Sequence, residues 1–159
     1  MNGKLYRQLE EFAGMRNNAF VTALALSSEG RHIAGIYGVD VPREILWAMD
    51  IVPINVFGID GSNIEAAEKF MDKKSCSLLK ASYGYVITDR CPFSHFADVI
   101  IGTDYCRDKE CMLYKLKNLK NVYIINEYKN AHGLPSEYKN FIYFLQRKIY
   151  EIFIFRCQA

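Results

Sequence analysis

The sequence predicts an α/β fold, a three-layer sandwich around a mostly parallel four-stranded sheet, with an N-terminal helix and a long C-terminal one. Three observations carry this. Short apolar runs alternate with helical patterns along the chain, as strand–helix–strand units require. One run, ADVIIGT at 97–103, is nearly all apolar, the composition of a strand covered on both faces. Pro42 heads PREILWAMD, a position where proline opens a helix. Together they describe a Rossmann-like domain whose ligands bind beyond the carboxyl ends of the strands.

Taken in order, residues 3–28 show helical periodicity through Leu5, Leu9, Phe12, Phe20, Leu24 and Leu26, with Gly14 as an interruption and Glu29-Gly30 as the stop. HIAGIYG at 32–38 reads as the first strand and VPINVFG at 52–58 as the second. The loop IDGSN leads to a helix over IEAAEKFM with Ser62 as its N-cap. Cys76 opens a helix over SLLKASYGYVITD, which Cys91-Pro92 breaks, because a residue before proline is pushed out of helical geometry. ADVIIGT is the third strand; Cys106 follows it, then a helix over RDKECMLYKLKNL. NVYIINEY is the fourth strand, and residues 136–155, begun by Pro135-Ser136, form a long amphipathic helix. Its face of Tyr138, Phe141, Ile142, Leu145, Ile149, Ile152 and Phe153 is broadened by Phe144 and Phe155, which predicts apolar surface left for a partner.

The 159 residues make one domain, and half of them are hydrophobic. Lys and Arg number 20 against 18 acids, which gives no electrostatic reason to expect nucleic acid or an anionic membrane. AFVTALALSS, after Arg16, faintly resembles a signal sequence, but Glu10 and Glu11 precede it and no basic segment opens the chain. No stretch approaches the ~18 apolar residues of a spanning helix. The expectation is a cytoplasmic protein with reduced thiols, where several cysteines point to metal or redox chemistry. No GxGxxG or Walker A motif supports nucleotide binding.

The five cysteines include an evenly spaced set: Cys76, Cys91 and Cys106, each 15 residues from the next. That spacing is too long for a zinc ribbon and unlike a ferredoxin run. Any shared metal must therefore be assembled by the fold, which suggests an iron–sulfur site on an α/β scaffold; the other reading is three plain buried thiols. Cys76 at a helix start and Cys106 after a strand both favour thiolate, the form that binds metal. Cys111 could add a ligand or stand by, and Cys157 reads as a free thiol near the end of the sequence. Ser82 and Tyr83, on the helix after Cys76 with Lys80, could hydrogen-bond cluster sulfides or only pack. His95 is a ligand or proton donor, or an aromatic-loop residue between Phe93 and Phe96; His32 and His132 are expected to have no chemical role. Gly38 and Gly58 at strand ends admit either a ligand arm or a simple turn.

Two blocks carry a resemblance. GIYGVDVPREILWAMDIVPINVFG is similar to the opening of the 2-hydroxyacyl-CoA dehydratase and benzoyl-CoA reductase superfamily, D-component type. CSLLKASYGYVITDRCPFSHFADVIIGTDYC more specifically resembles its double-cubane cluster proteins: a cysteine, a Lys-x-Ser-Tyr-Gly helix, a Cys-Pro-aromatic step and a third cysteine after a strand. The resemblance runs over roughly 16–150 and matches the family's N-terminal half; its second Rossmann-like half has no counterpart here. It departs at Arg107 and Asp108, which stand where the family usually has Asp-Gly.

The resemblance implies an anaerobic iron–sulfur protein, with a [4Fe-4S] or double-cubane cluster held by Cys76, Cys91 and Cys106. It implies low-potential electrons from an ATP-dependent iron–sulfur activator, used for dehydration (lyase) or reduction of a cluster-bound substrate. A second-half subunit or a homodimer would complete the site. The alternative is a non-catalytic α/β module that binds a partner through its C-terminal helix.

Overall fold

The structure, a computed structural model, describes residues 21–58, 60–126 and 134–158, with Gly14 and Asn18 before them, and the side chains of the last segment from Ser136 to Ile152. Helical residues 21–28 (α1) lead into β1 (His32–Tyr37), α2 (Arg43–Ala48), β2 (Ile51–Asn55), α3 (Ile64–Ala67), α4 (Ser77–Ile87) and α5 (Pro92–Phe96). Then come β3 (Val99–Thr103), α6 (Arg107–Leu116), β4 (Val122–Ile125) and α7 (Leu134–Gln158). The strands form one sheet in the order β2-β1-β3-β4. Every pairing is parallel, with Ala34 opposite Pro53 on one side and Val99 on the other.

Period-two alternation places the core on both faces. Ile33, Tyr37, Ile100, Val122 and Ile124 face Leu79, Tyr83, Met112, Leu113 and Leu116 of α4 and α6. Ala34, Ile36, Val99, Ile101 and Ile125 face Leu46 of α2 and Phe141 and Leu145 of α7. All five residues of β3 are buried, which is why that run tolerates no polar alternation. Each fully buried Ile contributes roughly 1.5–3 kcal/mol relative to exposure. The broadened face of α7 is partly used: the Phe144 ring lies tilted against Tyr123 with centroids 4.9 Å apart, while Tyr143 and Tyr150 remain exposed.

Several boundaries differ from the sequence reading. The helix expected over 64–71 stops at Ala67, and its N-cap is Asn63, not Ser62, with no side-chain capping bond. Lys80 explains the early stop: its ammonium pairs with Glu68 and donates to the Lys73 carbonyl, both at 2.7 Å, holding the following turns against α4. The second strand ends at Asn55, because the Gly58 amide turns away to the Ser82 hydroxyl at 2.8 Å. Pro92 does break α4, but it also sits in the first turn of a new short helix, α5. Leu5, Leu9, Phe12 and Phe20 lie outside the described residues.

Candidate functional site

Each of the three evenly spaced cysteines is the N-cap of a helix: Cys76 of α4, Cys91 of α5 and Cys106 of α6. The Cys91 sulfur accepts from the Ser94 amide and the Cys106 sulfur from the Lys109 amide, each at 3.4 Å. Cys76 makes no side-chain capping bond. The even spacing thus reflects the recurrence of helix starts.

The fold brings two of these starts together. Cys106 follows β3 at the carboxyl edge of the sheet. The Cys76 amide donates to the Asp108 carboxylate at 2.8 Å, which ties the start of α4 to the first turn of α6. Cys91 lies beyond the far end of α4, whose 11 residues rise ~16 Å, and leads through α5 into the beginning of β3. The amide of Asp98, just before β3, meets the Ile33 carbonyl near the start of β1 at 2.9 Å. Cys91 therefore belongs to the amino edge, half-buried against the core layer that holds Tyr37, whereas Cys76 and Cys106 are exposed. Among the described residues, no three His, Cys, Asp or Glu side chains form a metal-binding group.

Beside the Cys76–Cys106 pair runs a groove of about 480 Å³ lined by Asp72, Lys74, Ser75, Arg107, Asp108 and Cys111, among others. Cys111 is exposed and adds a third thiol to this side of the molecule. Asp108 escaped the sequence reading except as a departure from a family pattern. Its signal was an acidic residue in the first turn of a helix, which fits the macrodipole, and nothing in the sequence pointed to Cys76 as its partner.

Ser82 is fully buried and already engaged: it donates to the Leu78 carbonyl at 2.7 Å and accepts from the Gly58 amide. A Cβ on Gly58 would lie 2.6 Å from backbone atoms of Ala81 and Ser82, so this glycine admits helix α4 rather than a ligand arm. Tyr83 is buried edge-on to Phe70, and burial, then the Cys111 thiol, pushes its pKa up. Tyr83 also lines a larger groove of about 740 Å³ along α4, rimmed by Lys69, Lys115 and Lys120. His95 meets the Asp89 carboxylate at 2.8 Å and packs edge-on to Phe96, while His32 meets Asp98 at 3.2 Å across the start of β1. His132 and the Cys157 side chain lie outside what is described.

An open parallel sheet with exposed cysteines at two helix N-cap positions on its carboxyl edge defines a Rossmann-like domain of the thiol-presenting class. Residues 38–151 match the family model described as 2-hydroxyglutaryl-CoA dehydratase, D-component, and the chain belongs to that family. It is similar to the "Putative dehydratase subunit YjiM" of Escherichia coli (strain K12), at 31% identity over 116 residues. That match covers 73% of this chain and 30% of the relative, so the chain spans under a third of the relative's length in alignment. A D-component is by its description one component of a larger dehydratase. No helix among the described residues is long and apolar enough to cross a membrane.

Proposed function

We propose that this domain is an iron–sulfur component of a 2-hydroxyacyl-CoA dehydratase-type system, using the thiolates of Cys76 and Cys106 to hold part of a cluster at the carboxyl edge of the sheet. The supporting observation is the bond from the Cys76 amide to Asp108, which ties the helix start that carries Cys76 to the one that carries Cys106. The donor set fits a cluster in part: two exposed thiols of the right chemistry stand on helix starts that are tied together, and the remaining ligands come from a second Rossmann-like half or a partner chain. When bound, such a cluster supplies low-potential one-electron chemistry, fed by an ATP-dependent activator, for dehydration or reduction of an acyl-CoA.

The chain's own residues do the holding. The starts of α4 and α6 carry the two sulfurs, the Lys109 amide donates to that of Cys106, and Asp108 fixes the backbone from which Cys76 projects. Cys91 has a capping role at the other edge. Ser82 and Tyr83 act behind the site by fixing α4, not by contact with sulfide.

Anaerobic reconstitution with ferrous iron and sulfide tests this, read as bound iron, acid-labile sulfide and the electron paramagnetic resonance spectrum of the reduced protein. Cys76→Ser and Cys106→Ser each lower iron and alter the spectrum, while Cys91→Ser leaves both unchanged. Loss of iron in Cys91→Ser with retention in Cys76→Ser would overturn the assignment.

A further inference from the structure

The strand order places the topological switch of the sheet between β1 and β3, since the chain leaves β1 towards β2 and leaves β3 towards β4. The crevice outside the carboxyl ends of two such strands is the usual ligand position in open parallel sheets. Here it contains an unusual group. Lys109, on the first turns of α6, is only 9% exposed, and its ammonium donates to the Thr103 hydroxyl at 2.7 Å. Thr103 ends β3 and is fully buried. The open face of the Tyr105 ring flanks the ammonium at 6.0 Å.

An ammonium has three donors, and Thr103 takes one. No carboxylate among the described residues lies within ion-pair distance of the Lys109 nitrogen. The nearby Asp108 carboxylate is turned to the Cys76 amide. A buried charge with only a neutral partner is costly unless an anion completes it. The space for one is marked by Gly38, which follows β1 at φ 134°. A Cβ at Gly38 would stand 3.4 Å from both the Lys109 nitrogen and the Thr103 hydroxyl oxygen. The positive φ calls for glycine here, and the absent side chain leaves both polar atoms uncovered on that side.

We propose that Lys109 and Thr103, uncovered by Gly38, form an oxyanion subsite at the β1/β3 switch point that takes a carboxylate or phosphate group of a small-molecule ligand. The ammonium supplies charge and two donors, the Thr103 hydroxyl fixes the ammonium, and the missing side chain at 38 supplies room. This subsite stands on the sheet edge alone and does not depend on iron.

The test uses the full, iron-free chain labelled with ¹⁵N, titrated with inorganic phosphate and separately with acetate, at constant ionic strength balanced with chloride. Saturable amide shifts at Gly38, Asp104 and Lys109 are expected, and whichever anion saturates at lower concentration identifies the group. Lys109→Met, which keeps the length of the stem without charge, weakens that affinity by about tenfold or more. Thr103→Val, which keeps the side-chain shape and removes the hydroxyl that fixes the ammonium, weakens it too, and decides the matter if Lys109→Met does not fold. Shifts that stay linear with both anions, or saturation unchanged in either folded variant, would overturn the proposal. Retained anion binding with failed iron uptake separates this inference from the cluster assignment.

Discussion

The amide of Cys76 donates to the carboxylate of Asp108 at 2.8 Å, joining the first turns of two helices that lie 32 positions apart in the chain. Asp108→Ala removes the acceptor and frees the start of α4. We expect a loss of about 1 kcal/mol of stability, the scale of one partly exposed hydrogen bond. Amide exchange at Cys76 should accelerate, and Asp108→Asn, which keeps an oxygen acceptor, should lie between. Unchanged exchange at Cys76 in Asp108→Ala would show that the bond does not form in solution.

The four described cysteines differ in access. Cys76, Cys106 and Cys111 are exposed and Cys91 is half-buried against the core. A brief pulse of iodoacetamide on the native protein, followed by peptide mapping, should modify the first three before Cys91. Equal labelling of Cys91 would contradict its half-buried place against the core.

Ser82 and Gly58 form a matched pair in which the hydroxyl satisfies a backbone amide and the absent side chain permits the approach. Ser82→Ala leaves the Gly58 N–H without its partner, a cost of about 1–3 kcal/mol. Gly58→Ala drives a methyl into the backbone of α4 and costs about as much through displacement. Urea denaturation of each variant gives these values, and the double variant should be less costly than their sum because both act on one contact.

Glu68 gives a pH dependence with a definite sign. The hydrogen bond from Lys80 is the main cause holding its carboxyl below the ordinary value of 4.5. A lowered folded-state pKa stabilises the native protein above the unfolded value, and that contribution is lost as the pH falls through the lowered one. Wild type should therefore lose stability towards acid more steeply than Glu68→Gln. Denaturation midpoints at neutral pH and near pH 3 check this, and parallel acid limbs would refute it.

Much of the architecture was legible because β3 and β1 carry continuous apolar runs that only a doubly covered parallel sheet accommodates. The starts of α4 and α6 were legible from Cys76 and Cys106 lying just before helical periodicity. The division of the three cysteines between two edges was not, because it depends on α4 running back across the sheet, a matter of topology. Gly38 and Gly58 looked alike as strand-end glycines. One opens onto Lys109 and Thr103 and the other onto the backbone of α4, and only the three-dimensional neighbours separate them. The short extent of α3 was hidden because its stop is imposed by Lys80 from a later helix.

Two helix starts in this protein end on sulfur where most proteins use oxygen. A neutral thiol is a weak acceptor, and a charged one is stronger. The first turns of α5 and α6 thus depend on what each sulfur, of Cys91 and of Cys106, can accept. Alkylation or oxidation at either sulfur alters the cap along with the thiol. Amide exchange at Ser94 and Lys109 accordingly serves as a built-in gauge of sulfur chemistry, readable as local helix fraying before any metal is added.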